Sequence, residues 1–338
     1  MKPILYIGNK LKNSITNETS IFSLGNLLEQ EGYTMVYASE KERQLLRLWD
    51  MLFTTLKYHK QVGSVLIDTY STHNFYYAFF VSQLCRFLGL KYIPILRGGN
   101  LPNRLQRSPS LSKCIFKYAH QNIAPSLYLK EAFEVKGYTN VIYIPNTIEL
   151  VNYPFQTLQF DVPKLLWVRS FARLYNPQMA VRVLKALRDR GIDAQLSMVG
   201  PDSDGTLMEV KRLAKELNVK VIFTGKLTKA EWTNMAKDYN VFINTTNFDN
   251  TPVSIIEAMA LGLPIVSTNV GGIPYLINHN TDGLLIPPDD VDAMVKAIIK
   301  IFEEPSKRER LINNARSKAE SFDWGVVKRM WQEVIDDI

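Results

Sequence analysis

The sequence predicts an α/β protein of two nucleotide-binding-type domains, each built on a parallel sheet. The chain opens on a short apolar strand, Ile4-Leu5-Tyr6-Ile7, which ends in Gly8-Asn9-Lys10 ahead of a helix. Strand, glycine loop and helix in that order open such domains. The same alternation restarts at Lys164-Leu165-Leu166-Trp167-Val168, after a stretch with no clear period. A chain of 338 residues, 46% apolar and 22% charged, is long enough for two ordinary cores.

In the first half a helix is expected from about Thr19 or Ser20 to Gln30, closed by Gly32, then a strand over 34–38. Residues 40–60 read as a long amphipathic helix whose apolar side is Leu45, Leu46, Leu48, Trp49, Leu52 and Phe53. Strands over 64–68 and 92–96 flank a buried helix over 75–88. The second of them ends in Arg97-Gly98-Gly99-Asn100-Leu101-Pro102, where the glycines either let backbone approach a ligand or form a bare turn. A helix over 112–119, a strand over 121–124, a helix to Lys136 and a strand over 141–144 complete the half. The first domain is set at 1–148. Residues 149–163, with Pro154 and Pro163, read as a linker.

The second domain, 164–320, continues with a helix over 178–190 capped by Gly191 and a strand over 195–199. A helix over 207–217, a strand over 221–224, a helix over 231–238 and a strand over 241–244 follow. A strand over 284–286 leads through Pro287-Pro288-Asp289-Asp290 to a helix over 291–303. The tail is mostly helical. Its last segment, 321–338, has Asp323 as a candidate N-cap and Trp324 and Trp331 as anchors.

Composition narrows the class. Two cysteines, Cys85 and Cys114, are too few for a disulfide framework and suit reduced thiols in a cytoplasm. No basic-then-apolar leader is expected, because Met1-Lys2-Pro3 runs straight into a strand. The most apolar run, 75–90, is interrupted by Gln83 and Arg86 and is no membrane span. The sequon Asn17-Glu18-Thr19 means little without a secretory signal. The four histidines are scattered, so no metal site is expected; His73, after a strand end, is the best outside candidate. The net charge of +7 lies wholly in residues 1–150, which hold 17 basic and 10 acidic residues. Residues 69–130 hold eight basic residues and no acid. That suits an anionic partner, such as a cytoplasmic membrane leaflet or a lipid-diphosphate acceptor, and equally a plain solubility charge. No nucleic-acid module is recognisable.

The most informative stretch is 247–272, NFDNTPVSIIEAMALGLPIVSTNVGG. Asp249 sits in a polar loop. Thr251 is the expected N-cap and Pro252 the first helical residue. Gly262 ends the helix, Pro264-Ile265-Val266-Ser267-Thr268 reads as a strand, and Gly271-Gly272 closes the unit. The start of that helix, at Val253 and Ser254, offers free N–H groups and partial positive charge to a diphosphate. Glu257, about one turn inside, is placed to accept two neighbouring ribose hydroxyls. An ordinary βα unit with a surface acid is the plain alternative.

The stretch resembles the acid-x7-acid signature of retaining glycosyltransferase family 4 (glycosyl transferases group 1), in which A-M-A-x-G-x-P-V-V and a Gly-Gly loop follow. Asp249 stands where that family has Glu. Ile144-Pro145-Asn146-Thr147-Ile148-Glu149 is similar to its I-P-N-G-I-D segment, and Arg169 matches the Arg of its G-R-L. The family's K-G pair aligns with Asn176-Pro177, so its lysine is replaced, and the family's histidine near the reacting sugar aligns with Arg97.

The resemblance implies the GT-B fold: two Rossmann-like domains with parallel sheets facing a cleft, and a C-terminal helix crossing back to the first domain. It implies transfer of a sugar, with retention, from a nucleotide-diphosphate sugar (a UDP-sugar is expected) to a glycan or lipid-linked acceptor, in cell-surface polysaccharide synthesis. No cofactor or metal is implied. Asp249 would hold the sugar and Glu257 the ribose. Arg169, with Arg173 as second charge, would neutralise the leaving diphosphate. Gly8 and Asn9 would join Asn250, Thr251, Val253 and Ser254 on the donor, with Lys226 and Leu227 at the base. Arg97, Gly98, Gly99 and Asn100 would lie on the acceptor side, Arg97 binding phosphate or belonging to the basic patch. The implied location is cytoplasmic, peripheral on the inner face of the membrane. Two other readings stay open: a GT-B protein that binds a nucleotide sugar or a partner without turnover, and a nucleotide-sugar epimerase.

Overall fold

The computed structural model describes residues 2–10, 20–156 and 158–338. The sequon and Thr19 as a helix start lie outside the described residues. The chain divides into two compact units, Met1–Pro145 with Gly325–Ile338, and Asn146–Trp324.

The first unit holds strands β1 (Ile4–Ile7), β2 (Met35–Ala38), β3 (Ser64–Thr69), β4 (Lys91–Leu96), β5 (Asn122–Ala124) and β6 (Val141–Tyr143). They pair in parallel in the order β2-β1-β3-β4-β5-β6. β1 and β3 are buried along their whole length, which is why Ile4–Ile7 and the centre of β3, Val65-Leu66-Ile67, read as continuous apolar runs rather than alternating ones. The helices are α1 (Ser20–Gln30), α2 (Gln44–Tyr58), α3 (Asn74–Phe87), α4 (Leu101–Arg107), α5 (Pro109–Phe116) and α6 (Leu127–Glu134).

Two helices depart from expectation. The turn expected at Asn100-Leu101-Pro102 is the start of α4, whose first turn accommodates Pro102 because no N–H is needed there. On α2 most of the apolar side is turned outward: Leu45, Leu46, Trp49 and Phe53 are exposed, Leu48 and Leu52 are half-buried against the core, and Arg47, Met51 and Thr55 are buried. Burial of Arg47 is tolerated because its guanidinium donates to the carbonyls of Lys41 and Glu42 and to Asn9 Oδ1. Thr55 Oγ1 donates to the Met51 carbonyl. Periodicity reveals that two faces differ, not which of them meets the core.

The second unit holds β7 (Lys164–Val168), β8 (Gln195–Val199), β9 (Ile222–Gly225), β10 (Val241–Asn244), β11 (Ile265–Thr268) and β12 (Leu284–Ile286), in parallel order β12-β11-β10-β7-β8-β9. Its helices are α7 (Pro177–Asp189), α8 (Thr206–Glu216), α9 (Lys229–Met235), α10 (Val253–Leu261), α11 (Ile273–Leu276), α12 (Val291–Glu303) and α13 (Pro305–Glu320). The chain runs β7-β8-β9 toward one edge, then returns to place β10-β11-β12 toward the other. The strand order therefore reverses between β7 and β10, where an open α/β sheet leaves a crevice at its strand ends. A last helix, α14 (Trp324–Asp336), packs on the first unit: Lys328 pairs with Glu31 at 3.0 Å, and Tyr33 donates to Asp336 at 3.0 Å.

Candidate active site

The end of β7 and the loop after β10 are stitched together. Trp167, fully buried on β7, donates through Nε1 to Thr245 Oγ1 at 3.0 Å, and Thr245 donates to the Tyr175 carbonyl at 2.9 Å. The Asn247 N–H donates to the Leu174 carbonyl at 2.9 Å. Tryptophan at that position thus does more than fill volume, because its N–H fixes where the next loop leaves the sheet.

This frame brings Arg169 and Asp249 into direct ion pairing at the reversal point, both largely buried. The Arg169 guanidinium also lies 4.5 Å over the Tyr175 ring. Burial pushes its pKa down, opposed by Tyr175 and Glu257. Its backbone packs on Gly200, where a Cβ would sit 1.8 Å from the Arg169 carbonyl oxygen. Gly200→Ala is therefore expected to displace the arginine. Thermal melting should show a loss of roughly 1–3 kcal/mol, and turnover should fall with it. Asp249 Oδ1 accepts from the Asn250 N–H at 2.8 Å. The Gly272 N–H donates to the Asp249 carbonyl at 2.8 Å, and a Cβ at Gly272 would lie 2.1 Å from the Asn250 carbonyl oxygen. The glycine pair is thus the seat of the acidic loop.

α10 begins one residue later than expected. Its N-cap is Pro252, not Thr251, and no side chain caps it. Proline carries no hydroxyl to accept the first N–H groups; that of Ile255 donates to the Pro252 carbonyl at 3.1 Å, and no side chain caps those of Val253 and Ser254. Val253 and Ser254 in the first turn are half-buried, and Thr251 is buried, its carbonyl accepting from Asn146. The rest of α10 is apolar on every side and buried, as such a helix must be. Glu257 is its one ionisable residue. At 4% exposure it is held by Tyr153, whose hydroxyl donates to Oε1 at 2.6 Å, and by Lys229 Nζ at 3.4 Å. Burial pushes its carboxyl above the usual range, opposed by Lys229, Tyr153 and Arg169.

Arg169, Asp249 and the α10 start with Glu257 thus come together in the second unit. Arg173 does not join them: it is exposed and its guanidinium pairs with Glu209 at 3.0 Å. Asn176, in the lysine's place, takes a left-handed conformation ahead of α7 and donates to Asp289. Lys226 is exposed after β9, and Leu227 packs into a core cluster.

Gly8, Asn9, Arg97, Gly98, Gly99 and Asn100 belong to the first unit. There Arg97 is no open phosphate ligand. Its Nε donates to Asp68 Oδ1 at 3.2 Å, and Tyr6 donates to the same oxygen at 3.1 Å. Burial pushes the Asp68 carboxyl up, opposed by Arg97. His73 precedes α3.

Sequence reasoning missed Lys229 and Tyr153. Lys229 follows Thr228, which forms a capping box with Glu231, so the Thr-x-x-Glu spacing marked a helix start that would carry it. Tyr153 lies in the stretch expected as a linker, 104 positions from its partner, and nothing local signals it. Among the described residues no group of His, Cys, Asp or Glu is placed to hold a metal ion.

A profile of the family described as "Glycosyl transferases group 1" matches residues 154–318. The sulfoquinovosyl transferase SQD2 of Arabidopsis thaliana is 27% identical over 151 residues, 44% of this chain and 29% of that protein. The chain thus aligns with about half or less of the length of the curated relatives it matches. Among solved structures, sucrose-phosphate synthase from Thermosynechococcus elongatus matches with a TM-score of 0.80 at 18% identity, covering 100% of both chains. HepE from Anabaena, in complex with UDP-glucose, matches with a TM-score of 0.79 at 15% identity, again over 100% of both. Those similarities give the fold as GT-B, and residues 154–318 are similar to the group 1 glycosyltransferases.

Proposed function

We propose that the protein transfers a sugar from a nucleotide-diphosphate sugar, a UDP-sugar in the first instance, to a hydroxyl of a glycan or lipid-linked acceptor, with retention. The observation that carries the reading is the meeting of Arg169, Asp249 and an uncapped helix start at the β7/β10 reversal. A diphosphate there faces a guanidinium and the free N–H groups of α10, which stabilise it as it departs. The bond between the anomeric carbon and the phosphate oxygen breaks, and the acceptor oxygen bonds to the same face of the oxocarbenium-like sugar. The acceptor proton passes to the departing phosphate. Asp249, released from Arg169 as phosphate takes that partner, holds sugar hydroxyls, and Glu257 holds the ribose. An essential metal is not part of this reading. A role in cell-surface polysaccharide synthesis fits an acceptor of this kind.

A second reading, donor binding without turnover, is favoured by the pairing of Arg173 with Glu209, which leaves one arginine for the leaving group. A thermal-shift and slow-hydrolysis screen against UDP-, GDP-, ADP- and dTDP-sugars, with and without EDTA, separates the two. Stabilisation and hydrolysis by one donor, unaffected by EDTA, is expected. Stabilisation with no hydrolysis or transfer to any acceptor would favour the second reading.

The ribose contact sets a pH dependence. A carboxyl whose folded pKa is raised favours its protonated form in the fold, so Glu257 costs stability as pH rises from the unfolded toward the folded value. Donor binding has the opposite sign, because the ribose hydroxyls need the carboxylate. Affinity for UDP is expected to fall on acidification from above 4.5, the ordinary glutamate value. Tyr153→Phe removes a hydrogen bond that lowers this pKa, so the acid limb of a calorimetric affinity profile should move to higher pH. An unmoved limb would detach Glu257 from the donor.

A further inference from the structure

We propose that the outward face of α2 and α3 docks on an anionic lipid bilayer. Large apolar side chains are normally scattered singly over a surface, and a contiguous exposed set marks a contact. Of the seven exposed positions on α2, five are Leu45, Leu46, Trp49, Phe53 and Leu56. At 100° per residue they fall within about 100° of one another, opposite the buried Arg47, Met51 and Thr55. On α3 the exposed Tyr76, Phe80 and Phe87 recur at spacings of four and seven, another single stripe. Trp49 is 70% exposed and Phe87 is 87% exposed.

The two stripes belong to one surface. α2 packs on α3 and α3 on α5, and Tyr77 donates to the Gln44 carbonyl at 3.3 Å, tying α3 to α2. The buried sides of both helices face the sheet, so their stripes point outward from the same layer. Cations rim it. Lys57, Lys60, Arg86, Lys113 and Lys117 are all exposed, and Arg86 lies 3.9 Å over the exposed Tyr118 ring. Residues 69–130, which include α3 and α5, hold no acid, while α2 carries Asp50 on its flank and the exposed Glu42 just ahead of it.

Charge decides the occupant. Lysine is depleted in the cores and patches by which proteins meet proteins. An apolar helix face with Trp and Tyr near the polar boundary and Lys/Arg around it is what an interfacial helix presents to anionic headgroups. No described helix is long and apolar enough to cross a membrane, so contact would be from one side. The inference does not rest on the reaction proposed above, since it uses no residue of the β7/β10 site.

The test is flotation of the full chain with phosphatidylcholine vesicles, with and without phosphatidylglycerol. Binding to the anionic vesicles is expected, weakened by salt. Trp49→Ser/Phe53→Ser should weaken it by roughly tenfold or more, with melting temperature and UDP binding unchanged because both side chains are already exposed. Lys113→Gln/Lys117→Gln should weaken it by a similar factor, roughly tenfold. Equal flotation of the apolar variant would overturn the proposal, as would equal affinity for neutral vesicles. So would a lipid-free dimer that Trp49→Ser/Phe53→Ser dissociates, which would make the face an interface between two copies of the chain.

Discussion

Arg169→Met is expected to lower turnover by roughly 100- to 1,000-fold while leaving the fold in place. Removing one preorganised group aimed at developing charge has a cost of that order. Here the charge would be the diphosphate of the leaving nucleotide, and Arg173 lies outside the cluster, exposed and paired with Glu209. The substitution also strips Asp249 of its ion-pair partner. Asp249 keeps the Asn250 N–H on Oδ1, so a modest fall in melting temperature accompanies the loss of rate. Arg169→Lys retains charge but loses the fork and the contact with Tyr175, and should recover only part of the rate. Single-turnover kinetics with saturating donor checks both. An Arg169→Met enzyme within a few-fold of the parent would remove the leaving-group role from this residue.

Glu257→Gln is expected to weaken donor binding by roughly 10- to 100-fold, the span for losing hydrogen bonds to a charged group. The amide matches the carboxylate in size, and its oxygen can still accept from Tyr153, so packing inside α10 is preserved. What changes is charge and acceptor capacity toward a ribose. The loss should fall on donor affinity, with the rate at saturation much less affected. Glu257→Ala is a poorer probe, since it would leave the buried Tyr153 hydroxyl without its acceptor. Calorimetry with UDP checks the binding term, and unchanged affinity would place Glu257 in a purely structural role with Tyr153 and Lys229.

Much of this arrangement is legible in the sequence because it is local. The alternation of short apolar runs with longer periodic segments gives two parallel sheets, and 247–272 sets acid, helix, glycine and strand in one order. Arg169 ends a recognisable strand. What resists reading is long-range. Arg97 looks like an open cation in an acid-free segment, but its counter-ion Asp68 lies 29 positions away on the neighbouring strand. Tyr153 reads as linker because proline-bearing, aperiodic sequence carries no sign of what its side chains touch. On α2 the period is plain and the orientation is not. Most of the apolar side is the exposed one, because a buried arginine whose guanidinium finds three acceptors is invisible to a pattern of apolar positions.

Titration of UDP and UMP into the intact chain tests the central claim most directly, that the β7/β10 reversal is a diphosphate site. UDP should bind roughly tenfold or more tightly than UMP, since the second phosphate adds charge-assisted hydrogen bonds. Most of that difference should vanish in Arg169→Met. Equal binding of the two nucleotides, or a preference for UDP that survives Arg169→Met, would contradict the site as described.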